Sequence, residues 1–166
     1  MELWDVYDAN RQPTGRLAVR GQKLAPGDYH LIVHACLFND AGRLLIQQRQ
    51  TTKKGWPGLW DVSAGGSALH GETSAQAAAR EVREELGLSL DLSGVRPAFT
   101  LHFAAGFDDV YILRQNVQVE DLTLQPEEVA AVRFATLAEV QALLQSGRFV
   151  PYPKTLLPLY FETAGF

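Results

Sequence analysis

The sequence is poor in sulfur. Among 166 residues there is one cysteine, Cys36, and one methionine. A lone cysteine forms no intramolecular disulfide, so a reducing compartment is expected, and with it a cytoplasmic location. Excess basic charge is missing as well. Fifteen Lys and Arg stand against 19 Asp and Glu, for a formal net charge of -4, and no long basic run occurs. Nucleic acid is therefore not an expected partner. No apolar run approaches the ~20 residues that span a bilayer. The opening MELWDVYD has neither the basic residues nor the apolar core of a secretion signal. A membrane is not expected either. Repeats, low-complexity tracts and linkers are all lacking. With 46% hydrophobic and 20% charged residues, the composition is that of a soluble globular protein, and the length suits one domain with a sizeable core.

Hydropathy patterning divides the chain into strand and helix candidates. Leu3–Tyr7 alternates like a strand, Asp8–Pro13 reads as a polar turn, and a second strand starts near Thr14. Residues 1–27 are thus expected to form an N-terminal hairpin extension, 28–150 the core, and 151–166 a C-terminal helix. His30–Phe38 is a near-continuous apolar run fit for a central strand. Asn39–Gly42 is a hairpin-type turn that makes Arg43–Arg49 its expected partner strand. Asp61–Ala64 reads as a short strand. Arg96–Ala104 and Val110–Val117 are strand candidates separated by Gly106-Phe107-Asp108-Asp109. Val129–Ala135 is a strand, and Leu137–Leu144 and Thr155–Phe161 are helices. Strands, helix, strands and helix in that order fit a mixed α/β sandwich.

The stretch GGSALHGETSAQAAAREVREELGL, Gly65 to Leu88, carries the chemistry. Thr73 and Gln76 form a capping box that starts a helix, and Gly87 ends it. Glu81, Glu84 and Glu85 are spaced i, i+3 and i+4, so they share one face within about 100° of arc. Ala75, Ala78, Ala79, Val82 and Leu86 form an apolar stripe rotated roughly 120° away. One side docks on a core while the other gathers negative charge. An acidic helix face is often plain solvated surface. Three carboxylates packed together, however, repel unless a cation sits among them, and oxygen-only donors suit Mg²⁺ or Mn²⁺. Such sites support phosphoryl transfer and pyrophosphate hydrolysis.

The full spacing, Gly66, five residues, Glu72, seven residues, then Arg80-Glu81-Val82-Arg83-Glu84-Glu85-Leu86-Gly87-Leu88, reads G-x5-E-x7-R-E-U-x-E-E-x-G-U with U aliphatic. It resembles the signature of the Nudix hydrolase family at every specified position. The resemblance implies a Nudix-type α/β/α sandwich with a mixed central sheet. It also implies a hydrolase for an organic, nucleoside-type diphosphate linked to a variable group. By the same resemblance Glu81, Glu84 and Glu85 match metal ligands, and Glu72 matches the glutamate that assists the metal or activates water. Arg80 matches the arginine that orients a glutamate, and Gly65 offers a backbone carbonyl to metal. The implied catalytic set is Glu72, Arg80, Glu84 and Glu85. The implied cofactor is Mg²⁺ or Mn²⁺, and the partners are a small-molecule diphosphate and, as an open alternative to a monomer, a second copy in a homodimer.

Outside the signature, Lys53 and Lys54 are candidates for substrate phosphates. Asp108 and Asp109 are the first candidates for a further acid, with Asp109 preferred, and Glu127 and Glu128 the second. His30, His34 and Cys36 share one strand face, and the histidines read better as structural than as ligands. From Val6–Gly15, His30–Asn39 and KKGWPGLW (Lys53–Trp60), the chain also resembles the isopentenyl-diphosphate isomerase branch over roughly residues 3–115. That branch needs a cysteine where Gly65 stands and a histidine where Ser67 stands. Isomerase chemistry is therefore not expected. A non-catalytic effector-binding domain is disfavoured by the intact acidic face.

Overall fold

The computed structural model describes residues 2–166. Its strands are β1 (Leu3–Tyr7), β2 (Pro13–Val19), β3 (His30–Phe38), β4 (Leu44–Arg49), β5 (Trp60–Asp61), β6 (Ala64–Ser67), β7 (Phe99–Phe103), β8 (Gly106–Arg114) and β9 (Val129–Ala135). Three helices, α1 (Ser74–Leu86), α2 (Leu137–Gln145) and α3 (Leu156–Thr163), complete it with a short 3₁₀ turn at Val119–Asp121. The main sheet runs β5-β4-β3-β8-β7, with β6 also on β3 and β9 also on β4. It is mixed, because β3 and β8 pair in parallel while the other ladders are antiparallel.

Alternation along β3 explains the layers. Leu31, Val33, Ala35 and Leu37 point to one face and pack with Ala77, Ala78, Val82 and Leu86 of α1. Cys36 and Phe38 point to the other, where Val140 and Leu143 of α2 and Leu157, Tyr160 and Phe161 of α3 cover them. The result is an α/β/α sandwich. Cys36 is fully buried and unpaired.

Two expectations need correction. Arg43–Arg49 is not a full partner of the preceding strand. β3 and β4 share only the pair Phe38↔Leu44, after which β4 turns to β9 and β3 takes β6. Ser63 fills the gap, its hydroxyl accepting from the Leu37 amide at 2.8 Å and donating to the Leu45 carbonyl at 2.5 Å. Backbone groups left by a splayed ladder must find such partners. The second correction concerns Gly106–Asp109, which does not separate two strands but opens β8; the reversal occurs at Ala104–Ala105. Both aspartates are consequently buried.

β1 and β2 form their own antiparallel sheet. It docks through a Trp4–His30 stack with centroids 4.5 Å apart and a Tyr7–Tyr29 bridge. Its far end brings Glu2 and Arg20 to the front of α1.

Candidate active site

Helix α1 begins with the full capping box, Thr73 and Gln76 each satisfying the other's backbone amide. It ends at Gly87, whose φ of 70° is left-handed. A Cβ at Gly87 would also lie 2.7 Å from Thr123 Cβ. That close approach lets the segment after β8 cap the helix, with the Thr123 and Gln125 amides donating to the Leu86 and Glu85 carbonyls at 3.1 Å each. The same segment delivers Gln125 and Glu128 to the acidic face.

Arg80 is the hub of that face. Its guanidinium, 14% exposed, donates to Glu72 Oε1 at 2.7 Å, Glu72 Oε2 at 3.0 Å, Glu81 Oε1 at 2.8 Å, Glu84 Oε2 at 3.0 Å and the Ser67 carbonyl at 3.0 Å. It thereby locks the loop before the helix to two of the three glutamates. Burial alone would raise the Glu72 carboxyl, but Arg80 and the Leu69 amide hold it below its ordinary range. Glu72 is thus a poor proton acceptor and a firm strut.

Glu85 is held differently. It is 3% exposed, and its Oε2 accepts from Gln47 Nε2 at 2.8 Å and the Gly65 amide at 3.2 Å. Burial, then the charge of Glu81, pushes its pKa up to about 7. Burial also raises Glu81, despite Arg80. A buried polar residue in an apolar strand requires a partner, and Gln47 in the run LLIQQR is that signal in retrospect.

Gly65 and Gly66 are narrow points. A Cβ on Gly66 would lie 2.5 Å from Glu81 Cδ, and one on Gly65 2.5 Å from His34 Cδ2 and 2.8 Å from the Val33 carbonyl oxygen. Only glycine lets the acids and His34 close in on this strand.

Glu81, Glu84, Glu85 and Glu128 line one cavity together with Gly65, Gly66, Lys53 and Arg20. It opens into a larger space of about 800 Å³ that Lys54, Arg49, His34 and Glu127 also line. Lys53 pairs with Glu128, and burial followed by the nearby Arg49 charge lowers its pKa. Among the described residues no three His, Cys, Asp or Glu side chains converge as a closed metal cage, because Arg80 holds Glu81 and Glu84 while Gln47 holds Glu85. The donor set still fits a hard divalent cation. It is all oxygen, and burial, joined at Glu85 by the charge of Glu81, raises both carboxyls, so a bound cation would favour their ionised forms.

Asp109 does not join this cavity. It is fully buried, paired with Arg11 and bonded to Thr100 Oγ1 at 2.7 Å, on the face that packs against α1. Of the two acid pairs, Glu127 and Glu128 line the cavity and Asp109 does not. Asp108 faces the α3 side, both of its oxygens 2.9 Å from His34 Nδ1. Burial works against a protonated His34, yet Asp108 outweighs it and pushes the pKa up to about 9. Beside them Asp61 accepts from the Tyr152 hydroxyl at 2.7 Å and from Arg49 Nη1 at 3.3 Å. Sequence spacing gave no sign of this polar floor, nor of Arg20 at the cavity rim.

Comparison with known proteins agrees with this geometry. An uncharacterized Nudix hydrolase of Listeria monocytogenes is 58% identical over 152 residues, covering 92% of this chain and 90% of that protein. An isopentenyl-diphosphate Delta-isomerase of Klebsiella pneumoniae is 40% identical over 95 residues, 57% of this chain and 52% of that protein. The crystal structure of a Deinococcus radiodurans protein superposes with a TM-score of 0.77 at 24% identity, over 97% of this chain and 98% of that one; at that identity the likeness is one of fold. The model of the NUDIX domain matches residues 28–158. With the glutamate face of α1 inside that match, the chain belongs to the NUDIX family of hydrolases, which act on pyrophosphate-containing substrates.

Proposed function

We propose that this chain hydrolyses an organic diphosphate linked to a variable group, with Mg²⁺ or Mn²⁺ held by Glu81, Glu84, Glu85 and the backbone at Gly65. The observation that carries the reading is the charge of the cavity. Buried Glu85 and half-buried Glu81 stand beside each other with both carboxyls raised above their ordinary range, and Glu84 and Glu128 line the same walls. When bound, a divalent ion supplies charge neutralisation for the diphosphate and activation of water.

The chain's own residues divide the remaining work. Arg80 fixes Glu72, Glu81 and Glu84 relative to one another. Gln47 and the Gly65 amide aim Glu85. Glu72 spends its acceptors on Arg80 and Leu69, so it positions the others. Glu84 and Glu85 keep open lone pairs for cation and water. Lys53, Lys54 and Arg20 line the space where substrate phosphates would approach.

The isomerase reading is disfavoured by a steric observation. The space where a side chain at position 65 would start is taken by the His34 ring. We also propose a single domain with residues 1–27 as an added hairpin and 151–166 as a closing helix, acting in the cytoplasm. The test is phosphate release by purified protein with Mg²⁺ or Mn²⁺ across nucleotide sugars, dinucleotides, coenzymes and nucleoside diphosphates. Turnover of at least one supports the reading. Tight binding of one without turnover of any refutes it in favour of an effector-binding domain.

A further inference from the structure

Helices α2 and α3 cover only part of the sheet face that carries Cys36 and Phe38. Nearer the start of β3, Ile32 and His34 on the same face are half-buried. A space of about 530 Å³ opens over them, walled by Ile32 of β3, Leu101 and Phe103 of β7, Leu156 of α3, and Trp56. It adjoins the polar space of about 800 Å³, because Ile32, His34 and Arg49 line both. A ligand whose diphosphate faces the acids of α1 has this second space for its other end.

The walls offer such a ligand mostly hydrocarbon, and the polar groups among them are spent inside the protein. Asp61 accepts from the Tyr152 hydroxyl at 2.7 Å and from the Val62 amide at 2.8 Å. Both Asp108 oxygens stand 2.9 Å from His34 Nδ1, and Arg49 Nε donates to the Gly55 carbonyl at 3.0 Å. A sugar seated here would leave hydroxyls without partners, a cost that apolar contact does not offset.

Trp56 is an independent observation. It is 52% exposed, although an indole has much to gain from burial. Its φ is 51°, a left-handed value that bulky residues rarely adopt, and the following Pro57 favours extended backbone instead. Strained backbone of this kind is characteristic of ligand clamps. Phe103, on the sheet wall, is exposed as well. Scattered exposed apolar residues need no explanation, but these two share one cavity beside the diphosphate site.

We propose that this space is the subsite for the variable group of the substrate, and that the group is hydrophobic rather than a sugar, packed against Trp56, Phe103 and Ile32. This rests on the diphosphate reading above. The acids of α1 then take the end common to all such substrates, and the Trp56 cavity selects among them.

The test is calorimetry of the full chain with Mg²⁺ and the methyl, hexyl, benzyl and glucosyl esters of methylenediphosphonate. These carry the same charge, resist hydrolysis and differ only in the attached group. The hexyl and benzyl esters are expected to bind about tenfold or more tighter than the methyl ester, since burying two or three methylenes suffices for that ratio. The glucosyl ester is expected to gain nothing over methyl. Trp56→Ala and Phe103→Ala trim exposed side chains, and in each the hexyl-to-methyl ratio is expected to fall several-fold. Methyl, hexyl and benzyl esters of equal affinity overturn the proposal while leaving the diphosphate reading intact. So does a glucosyl ester that binds tighter than the hexyl ester, or a hexyl advantage that survives both substitutions in folded protein. Binding of none of the four overturns the proposal and the diphosphate reading together.

Discussion

Replacing Gly66 with alanine separates the site from the fold. The added methyl would stand 2.5 Å from Glu81 Cδ and 2.8 Å from Oε2, where carbon contacts settle at roughly 3.5–4.0 Å. Glu81 must therefore retreat by about 1 Å. Gly66 does not have a left-handed φ, so alanine fits the backbone and stabilises by about 0.4–1 kcal/mol through the unfolded chain. Forcing Glu81 off its rotamer costs about 0.5–1.5 kcal/mol. The two nearly cancel, and the melting temperature should stay within about 4 °C of wild type. Activity should not survive as well. Metal ligands tolerate displacements of ~0.2 Å, and a 1 Å misplacement costs on the order of 100-fold in rate. Thermal denaturation, Mn²⁺ calorimetry and kcat on one substrate read the three quantities together. A Gly66→Ala protein with wild-type kcat would refute the placement of Glu81 in the working site.

Three further outcomes follow from the same geometry. In metal-free protein, Glu85 has its pKa raised from 4.5 to about 7, so the folded state holds the proton longer than the unfolded one. Stability should then fall as pH rises from about 4.5 to 7, by at most about 3 kcal/mol. Denaturant titrations of wild type against Glu85→Gln isolate that slope, and a slope unchanged by the substitution would count against the buried charge. Gln47→Leu removes the side-chain donor to Glu85, and Mn²⁺ affinity by calorimetry should drop about 10–100-fold; unchanged affinity would show that Glu85 needs no such support. Asp109→Asn breaks a buried pair with Arg11, which should lower stability by about 2–4 kcal/mol while the folded fraction still turns over. Loss of turnover at full stability would restore Asp109 to the chemistry.

Local patterns were readable and remote compensations were not. The helix carrying Glu81, Glu84 and Glu85 declares itself through spacings of three and four residues and through caps at Thr73 and Gly87, all within one stretch of chain. β3 and β9 were bounded by their apolar runs alone. Asp108 and Asp109 look like a break between strands because two adjacent acids suit solvent better than a sheet interior. What permits them inside a strand is Arg11, 98 residues from Asp109, and His34, 74 from Asp108. Gln47 likewise acquires meaning only beside Glu85, 38 residues on. The partial β3–β4 pairing depends on the Ser63 hydroxyl, which no local pattern foretells. Position 65 shows the same limit, since sequence registers a missing cysteine while the fold shows His34 in the vacated space.

The central claim is that the acidic face of α1 holds the ion that serves the diphosphate. Crystals soaked in Mn²⁺ and measured at the manganese absorption edge test it most directly. The account predicts an anomalous peak within ~2.0–2.6 Å of carboxylate oxygens from Glu81, Glu84 or Glu85. A fully occupied peak elsewhere, with these three glutamates unliganded in a catalytically active crystal, would contradict it.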